Sequence, residues 1–175
     1  MEDIVFGQHH KNNNEQLLTY LNELSVESKQ RFGPHTFSIE AIEQLSANDG
    51  FRLYDAVLKN SIIGYTIIKF GWLDFEITRL LSYGITETCN DITIAPSIAD
   101  QYQGMGIGTT FLQYIIGDLS NEIKIENIYL WGGVQKSNIK AINLYQKLGF
   151  KVLGEFEHNG MNLDMVLELH QSASL

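Results

Sequence analysis

Residues 91–108 read DITIAPSIADQYQGMGIG, and the way this stretch folds decides how the rest of the chain is read. It opens on alternating apolar residues, Ile92 and Ile94, ahead of Pro96. It closes on Gly104, Gly106 and Gly108, followed by a stripe made of Phe111, Leu112, Ile115, Ile116 and Leu119. The order is strand, loop, helix. Glycines at such a junction let the backbone approach a ligand, and the free N–H groups and positive dipole end of the helix favour an anion there. Two common phosphate loops are excluded by spacing. There is no P-loop run ending in Gly-Lys-Ser/Thr, and Thr109 stands where a dinucleotide fingerprint needs its third glycine. Alone, the turn is open between a phosphate cradle and a tight connection.

Working outward, the central strand is expected over about Thr88 to Ala95, with SIADQY as an extended link to the glycines. Upstream, Ile4 to Phe6 suits an edge strand. Leu17, Leu18, Leu21 and Leu24 have helical spacing, and Ser38 suits an N-cap before Ile39, Ile42 and Leu45. Leu24 to His35 reads as a connection. From Phe51 the apolar period becomes two, so Arg52–Lys59 and Ser61–Phe70 read as a hairpin, with Gly64 as a bulge or close-approach position. Gly71 to Ile85 reads as a third hairpin arm or a lid. Downstream, Asn127 to Gly133 suits a buried parallel strand, and Ser137 an N-cap for a helix facing inward with Ala141, Ile142, Tyr145 and Leu148. Asn159-Gly160 marks a final hairpin of type I′, and the tail QSASL is expected to fray.

A 175-residue chain with 44% apolar residues suits one domain, spanning 1–175. Its formal charge of −9 gives no footprint for nucleic acid or for an anionic membrane surface. Cys89 is the one cysteine, which excludes an internal disulfide and points to a reducing, cytoplasmic setting. No apolar run is long enough to span a bilayer, and residues 1–14 show neither the basic n-region nor the apolar h-region of a signal peptide. The adjacent His9 and His10 lack an acidic or cysteine partner nearby in sequence, so no metal site is expected.

Two motifs together carry a resemblance. Gln103-Gly104-Met105-Gly106-Ile107-Gly108 resembles the Gln/Arg-x-x-Gly-x-Gly/Ala signature of the GNAT superfamily of N-acetyltransferases. Some thirty residues on, VQKSNIKAINLYQKLGF (134–150) is similar to that family's second motif at Asn138, Ala141, Tyr145, Gly149 and Phe150. LSVESKQRFGPH, Leu24 to His35, resembles a stretch found in a bacterial subgroup that includes protein lysine acetyltransferases. The resemblance implies an α/β GNAT fold, with a central mixed, mostly antiparallel sheet of six to seven strands flanked by about four helices. It implies acetyl-CoA as cosubstrate, with Gln103, Gly104, Met105, Gly106, Ile107, Gly108 and Thr109 on its pyrophosphate and Asn138 on its pantetheine arm. A backbone N–H of the central strand, Ile94 being the nearest, would face the thioester carbonyl, and Tyr145 would be the general acid.

Direct transfer to a primary amine also needs a base. Asp91 and Glu87 are the candidates, four residues apart and so on one face if the strand is continuous. Asp91 resembles the place where related lysine acetyltransferases carry a catalytic Glu. The acceptor is a small-molecule amine or a protein lysine or N-terminus, and a homodimer stays open. A non-catalytic acyl-CoA-binding module is the alternative, in which the cradle survives without the chemistry. No nucleophile elbow or cysteine–histidine pairing is visible.

Overall fold

A computed structural model describes residues 4–169; the QSASL tail lies outside them. In chain order the elements are β1 (Val5–Gln8), α1 (Asn14–Glu23), α2 (Val26–Arg31), α3 (Ile39–Ser46), β2 (Phe51–Leu58), β3 (Ser61–Phe70), α4 (Ile77–Ser82), β4 (Asp91–Ile98), α5 (Ile107–Glu122), β5 (Asn127–Leu130), β6 (Val134–Gln135), α6 (Ile139–Lys147), β7 (Lys151–Glu157) and β8 (Met161–Glu168). The strands follow the order β1-β2-β3-β4-β5-β8-β6, with β7 also on β8. β4 and β5 run parallel, whereas β1–β2, β5–β8, β6–β8 and β7–β8 are antiparallel. Among the described residues the sheet is mixed and mostly antiparallel as expected, but with eight strands rather than six or seven and six α-helices rather than about four. The additions are short: β6 has two residues, and α2 and α4 have six each.

The chain forms two compact units, neither contiguous in sequence: residues up to 68 with 95–118, and 69–94 with the residues from 119 onward. In the first unit Leu17, Leu21, Ile42, Tyr54, Tyr65 and Phe111 are fully buried. Ser25 and Ser38 cap α2 and α3 through Ser28 and Ala41 N–H groups, so the connection expected over Leu24 to His35 contains a helical turn. Between β2 and β3, Lys59 and Asn60 take φ of 50° and 62°, the left-handed pair of a two-residue hairpin turn. Gly64 is a close approach: a Cβ there would lie 2.6 Å from Ile98 Cδ1.

In the second unit Trp72, Leu80, Tyr129 and Val166 form one buried cluster, with Ile77, Tyr83, Ile85 and Leu153 against it. The segment 71–85 is therefore not a hairpin arm; it contains α4 and packs on β5 and β8. The expected strand over 127–133 is broken. β5 stops at Leu130, and Gly132 and Gly133 take φ of 67° and 68°. β6 then resumes on β8, where Val134 pairs with Leu163. Gly133 is required, since a Cβ there would meet Leu163 O at 2.7 Å and the Phe156 ring at 2.8 Å. The last hairpin pairs Glu157 with Met161, leaving the loop 158–160 one residue longer than a type I′ turn.

β4 also differs from its expected bounds. It starts at Asp91, not Thr88, and runs through Pro96 to Ile98. Gly71 N–H donates to Asp91 C=O and Ala99 N–H to Ile63 C=O, so odd-numbered residues turn their backbone groups toward β3. Trp131 N–H donates to Ile94 C=O, so even-numbered residues face the opposite edge. Pro96 has no N–H, yet it sits on that opposite edge two residues past Ile94, the last residue registered with β5. A proline is tolerated where no ladder donor is needed.

Candidate active site

In the first unit a 3₁₀ turn, Asp100–Tyr102, leads from β4 to the glycines. Gly104 and Gly106 have φ of 77° and 82°, and a Cβ on either would meet nothing within 4 Å. These backbone conformations suit glycine, and the space beside them is open for a ligand to approach the amides. α5 begins at Ile107 and runs 16 residues, so Ile107, Gly108 and Thr109 supply N–H groups of its first turn. Met105 is 66% exposed at the tip. Gln103 turns back, donating from Nε2 to Ile98 C=O at 3.0 Å.

What holds this loop was not legible in the sequence. Asp100 accepts from Ser25 N–H at 3.0 Å, Ser25 Oγ at 2.7 Å and Ser28 Oγ at 2.7 Å. Burial alone would raise the Asp100 carboxyl, but these donors outweigh it and hold it below its ordinary value. The two serines of Leu24–Ser28 thus brace the entry to the glycine loop from 75 and 72 residues away.

The second unit holds the other expected residues. Ile94 is buried and pairs with Leu130; its N–H faces the same edge as its C=O, toward β5. Asn138, not Ser137, is the N-cap of α6, and its Oδ1 accepts Ala141 N–H at 3.3 Å. Tyr145 is buried with its ring 5.4 Å from Phe150. Burial raises its hydroxyl well above an ordinary phenol, so the proton stays on oxygen at neutral pH.

The candidate carboxylates serve different local roles. Asp91 is 1% exposed and accepts from Thr88 N–H (3.1 Å), Thr88 Oγ1 (2.8 Å) and Asn127 Nδ2 (2.8 Å). Glu87 lies in the loop before β4, so the two do not share one face of a continuous strand. It is exposed, and its Oε1 accepts the Trp72 N–H. A third carboxylate, Glu76, was missed: it is 1% exposed, and its Oε1 accepts Gly132 N–H at 2.6 Å. No local pattern marks an acidic residue whose partner is 56 positions away. His9, expected without a partner, lies against Asp55 and Asn14.

A family model described as Acetyltransferase (GNAT) family matches residues 18–150. The chain belongs to the GNAT acetyltransferase family. The chain is 31% identical over 118 residues to an N-alpha-acetyltransferase of Saccharolobus solfataricus, covering 67% of this chain and 65% of that protein. It is 42% identical over 72 residues to a spermine/spermidine N(1)-acetyltransferase of Bacillus subtilis, covering 41% of this chain and 45% of that one. The match thus spans just under two thirds of the first relative and less than half of the second. Among solved GNAT folds, an acetyltransferase from Streptococcus pneumoniae superposes with a TM-score of 0.71 at 18% identity, covering 96% of this chain and 100% of that one. The aminoglycoside acetyltransferase AAC(6')-Ib, in complex with coenzyme A, gives 0.69 at 20%, covering 95% of each.

Proposed function

We propose that this protein transfers the acetyl group of acetyl-CoA to a primary amine, directly, within a ternary complex. The observation that carries the proposal is the Gln103–Gly108 loop, with left-handed glycines in open space, a brace at Asp100 and a long helix starting at Ile107. Its amides and the positive end of α5 suit the pyrophosphate of a polyanionic cosubstrate, which an acidic protein has to hold with oriented dipoles. In the other unit, Asn138 commits its Oδ1 to the α6 cap, and its Nδ2 is assigned to a carbonyl of the pantetheine arm.

The carbonyl that becomes an oxyanion needs a fixed donor. Ile94 N–H is directed into the β4–β5 ladder and Pro96 has none, so the next N–H on that edge belongs to Ile98, to which we assign the role. The amine's lone pair attacks the thioester carbon, the C–S bond breaks, and the thiolate takes a proton from the Tyr145 hydroxyl. Asp91 and Glu87 remain candidates for the base, although both already accept hydrogen bonds that hold the approach to β4. Among acceptors, a peptide N-terminus is favoured by the longer stretch shared with an N-alpha-acetyltransferase. A polyamine is the second reading, on the higher identity over a shorter stretch.

Thermal-shift titration tests the cosubstrate. Acetyl-CoA at a hundred times its dissociation constant adds about 2.7 kcal/mol to stability, and Gly106→Val abolishes the shift by filling the space that the phosphate approaches. Absence of a shift in the parent protein overturns the proposal. Thiol release across peptides with free N-termini, lysine peptides, polyamines and aminoglycosides then identifies the acceptor. Binding without release for every amine identifies a non-catalytic acyl-CoA-binding module instead.

A further inference from the structure

Among the described residues of the second unit, Glu76 stands out by what its carboxylate lacks. The side chain is 1% exposed. One oxygen, Oε1, accepts Gly132 N–H at 2.6 Å and lies 3.4 Å from an Arg79 guanidinium nitrogen. The other, Oε2, is buried and has no hydrogen-bond partner; the Leu73 amide contributes only the weakest attraction and makes no bond by geometry. A buried carboxylate oxygen without a donor costs more than a hydrogen bond returns, so this side chain is poorly explained as structure alone.

The surroundings show why no internal donor fills the gap. Arg79, the nearest cation, is turned to β8, where Nε and Nη2 donate to both oxygens of Asp164 at 2.7 and 3.1 Å. Its guanidinium also lies 3.8 Å above the Phe156 ring. Tyr83 O–H donates to Asp164 as well, at 2.8 Å. Those donors are spent on Asp164, and Glu76 is left with one amide and the edge of a shared cation. Burial pushes its carboxyl up to about 7, against the Gly132 amide and the Arg79 charge, while Asp164 adds to the rise.

Its position matters as much as its deficit. Gly132 follows directly on Trp131, whose N–H donates to Ile94 C=O of β4, and its positive φ turns it out of the strand direction. Phe75, the residue before Glu76, is 65% exposed. We infer that Glu76 is the carboxylate that receives the acceptor's alkylammonium group, through Oε2, and takes its proton. This inference rests on the transferase reading above for its chemistry, although not for the binding step.

The step balances. R–NH₃⁺ and the Glu76 carboxylate give R–NH₂ and the neutral carboxylic acid. The nitrogen lone pair then forms the C–N bond as the C–S bond breaks, and the thiolate takes the Tyr145 proton. The second proton of the new N-acetyl nitrogen restores Tyr145, and Glu76 returns its proton to solvent. An ammonium at Oε2 supplies the missing donor and favours the ionised carboxylate, so bound amine moves the Glu76 titration toward acid.

The test labels glutamate carboxyl carbons with ¹³C and identifies Glu76 as the resonance absent from both Glu76→Gln and Glu76→Asp. In the parent protein this resonance titrates near pH 7, and n-butylamine or spermidine lowers its midpoint. A midpoint that neither amine moves overturns the inference, whatever the enzyme's activity. In kinetics, Gln keeps an acceptor for Gly132 N–H but no proton affinity. Glu76→Gln should therefore lower acceptor kcat/KM by about a hundredfold or more and erase its acid limb near neutral pH, while the acetyl-CoA thermal shift persists. Glu76→Asp restores the limb, and Asp74→Asn, an exposed carboxylate two residues away, leaves kcat/KM near the parental value. An unchanged pH limb in Glu76→Gln also overturns the assignment. Loss of the acetyl-CoA shift in the parent would instead remove the transferase reading and leave the amine titration to decide the binding step.

Discussion

Tyr145 reaches its site through two independent features of α6. Helical spacing puts it on the inner face with Ile142, and the Gly149 reversal at φ 96° returns Phe150 against its ring. Burial keeps the hydroxyl protonated, the state a general acid needs before the thiolate leaves. Tyr145→Phe removes one oxygen and keeps the ring, so the melting temperature changes little while turnover falls about a hundredfold or more. Acetyl-CoA affinity, read by thermal shift, changes far less than kcat. Unchanged turnover with a lowered melting temperature would make the hydroxyl a packing detail. The burial of Tyr145 was legible because Ala141, Ile142 and Tyr145 recur at helical spacing within α6. Glu76 was not, since the donors that define its environment come from Gly132 and the competition for Arg79 comes from Asp164, 85 residues beyond the arginine.

Elements show the same divide between local and distant causes. The β2–β3 hairpin and the Ser38 cap could be read because turn and cap residues act on their immediate neighbours. β4 was misread at both ends. Pro96 looked like a terminator, although the N–H it lacks would have faced the edge beyond the β5 ladder. Thr88 looked like strand, although its N–H and hydroxyl bend back to Asp91. β1 offers a test of a distant tie. The His9 side chain is fully buried, with Nδ1 2.6 Å from Asp55 Oδ2 and Nε2 2.8 Å from Asn14 Oδ1. An acceptor beside each nitrogen favours the doubly protonated ring. Burial alone would lower its pKa, but Asp55 and Asn14 overturn that and leave it above 6.5. A histidine raised on folding contributes stability that is complete below its unfolded pKa and is lost as pH rises through the folded one. Urea unfolding of the parent should therefore show stability falling with pH above about 6.5, and His9→Gln should be less stable in acid with a flatter slope across that window. Asp55 is itself raised, because burial outweighs the attraction of His9, so the comparison with His9→Gln reads the coupled His9–Asp55 pair. Equal slopes in the two proteins would mean that the ring is neutral and the pair is a simple hydrogen bond.

For the molecule as a whole, 21 acidic residues against 12 lysines and arginines give a formal charge of −9, while the proposed cosubstrate is a polyanion and the proposed acceptor a cation. Composition offers no electrostatic footprint for nucleic acid, and it does not say how an acidic protein would hold coenzyme A. In the proposed reading the glycine loop does so, because its backbone dipoles act over the length of a hydrogen bond, whereas the net charge acts over the Debye length of about 10 Å at 0.1 M salt. The two ranges respond differently to salt. Raising ionic strength screens the long-range repulsion of acetyl-CoA and hardly touches the amides, so its dissociation constant should hold level or fall. The same screening weakens the attraction of an ammonium toward the acidic surface, and the acceptor's kcat/KM should drop several-fold between about 0.02 and 0.5 M salt. Isothermal titration with acetyl-CoA and steady-state kinetics with a cationic acceptor, in the same salt series, read the two trends separately. An acetyl-CoA affinity that instead falls steeply with salt would mean that lysines and arginines, rather than the Gln103–Thr109 amides, hold the phosphates, and the account of the loop would then fail along with the prediction.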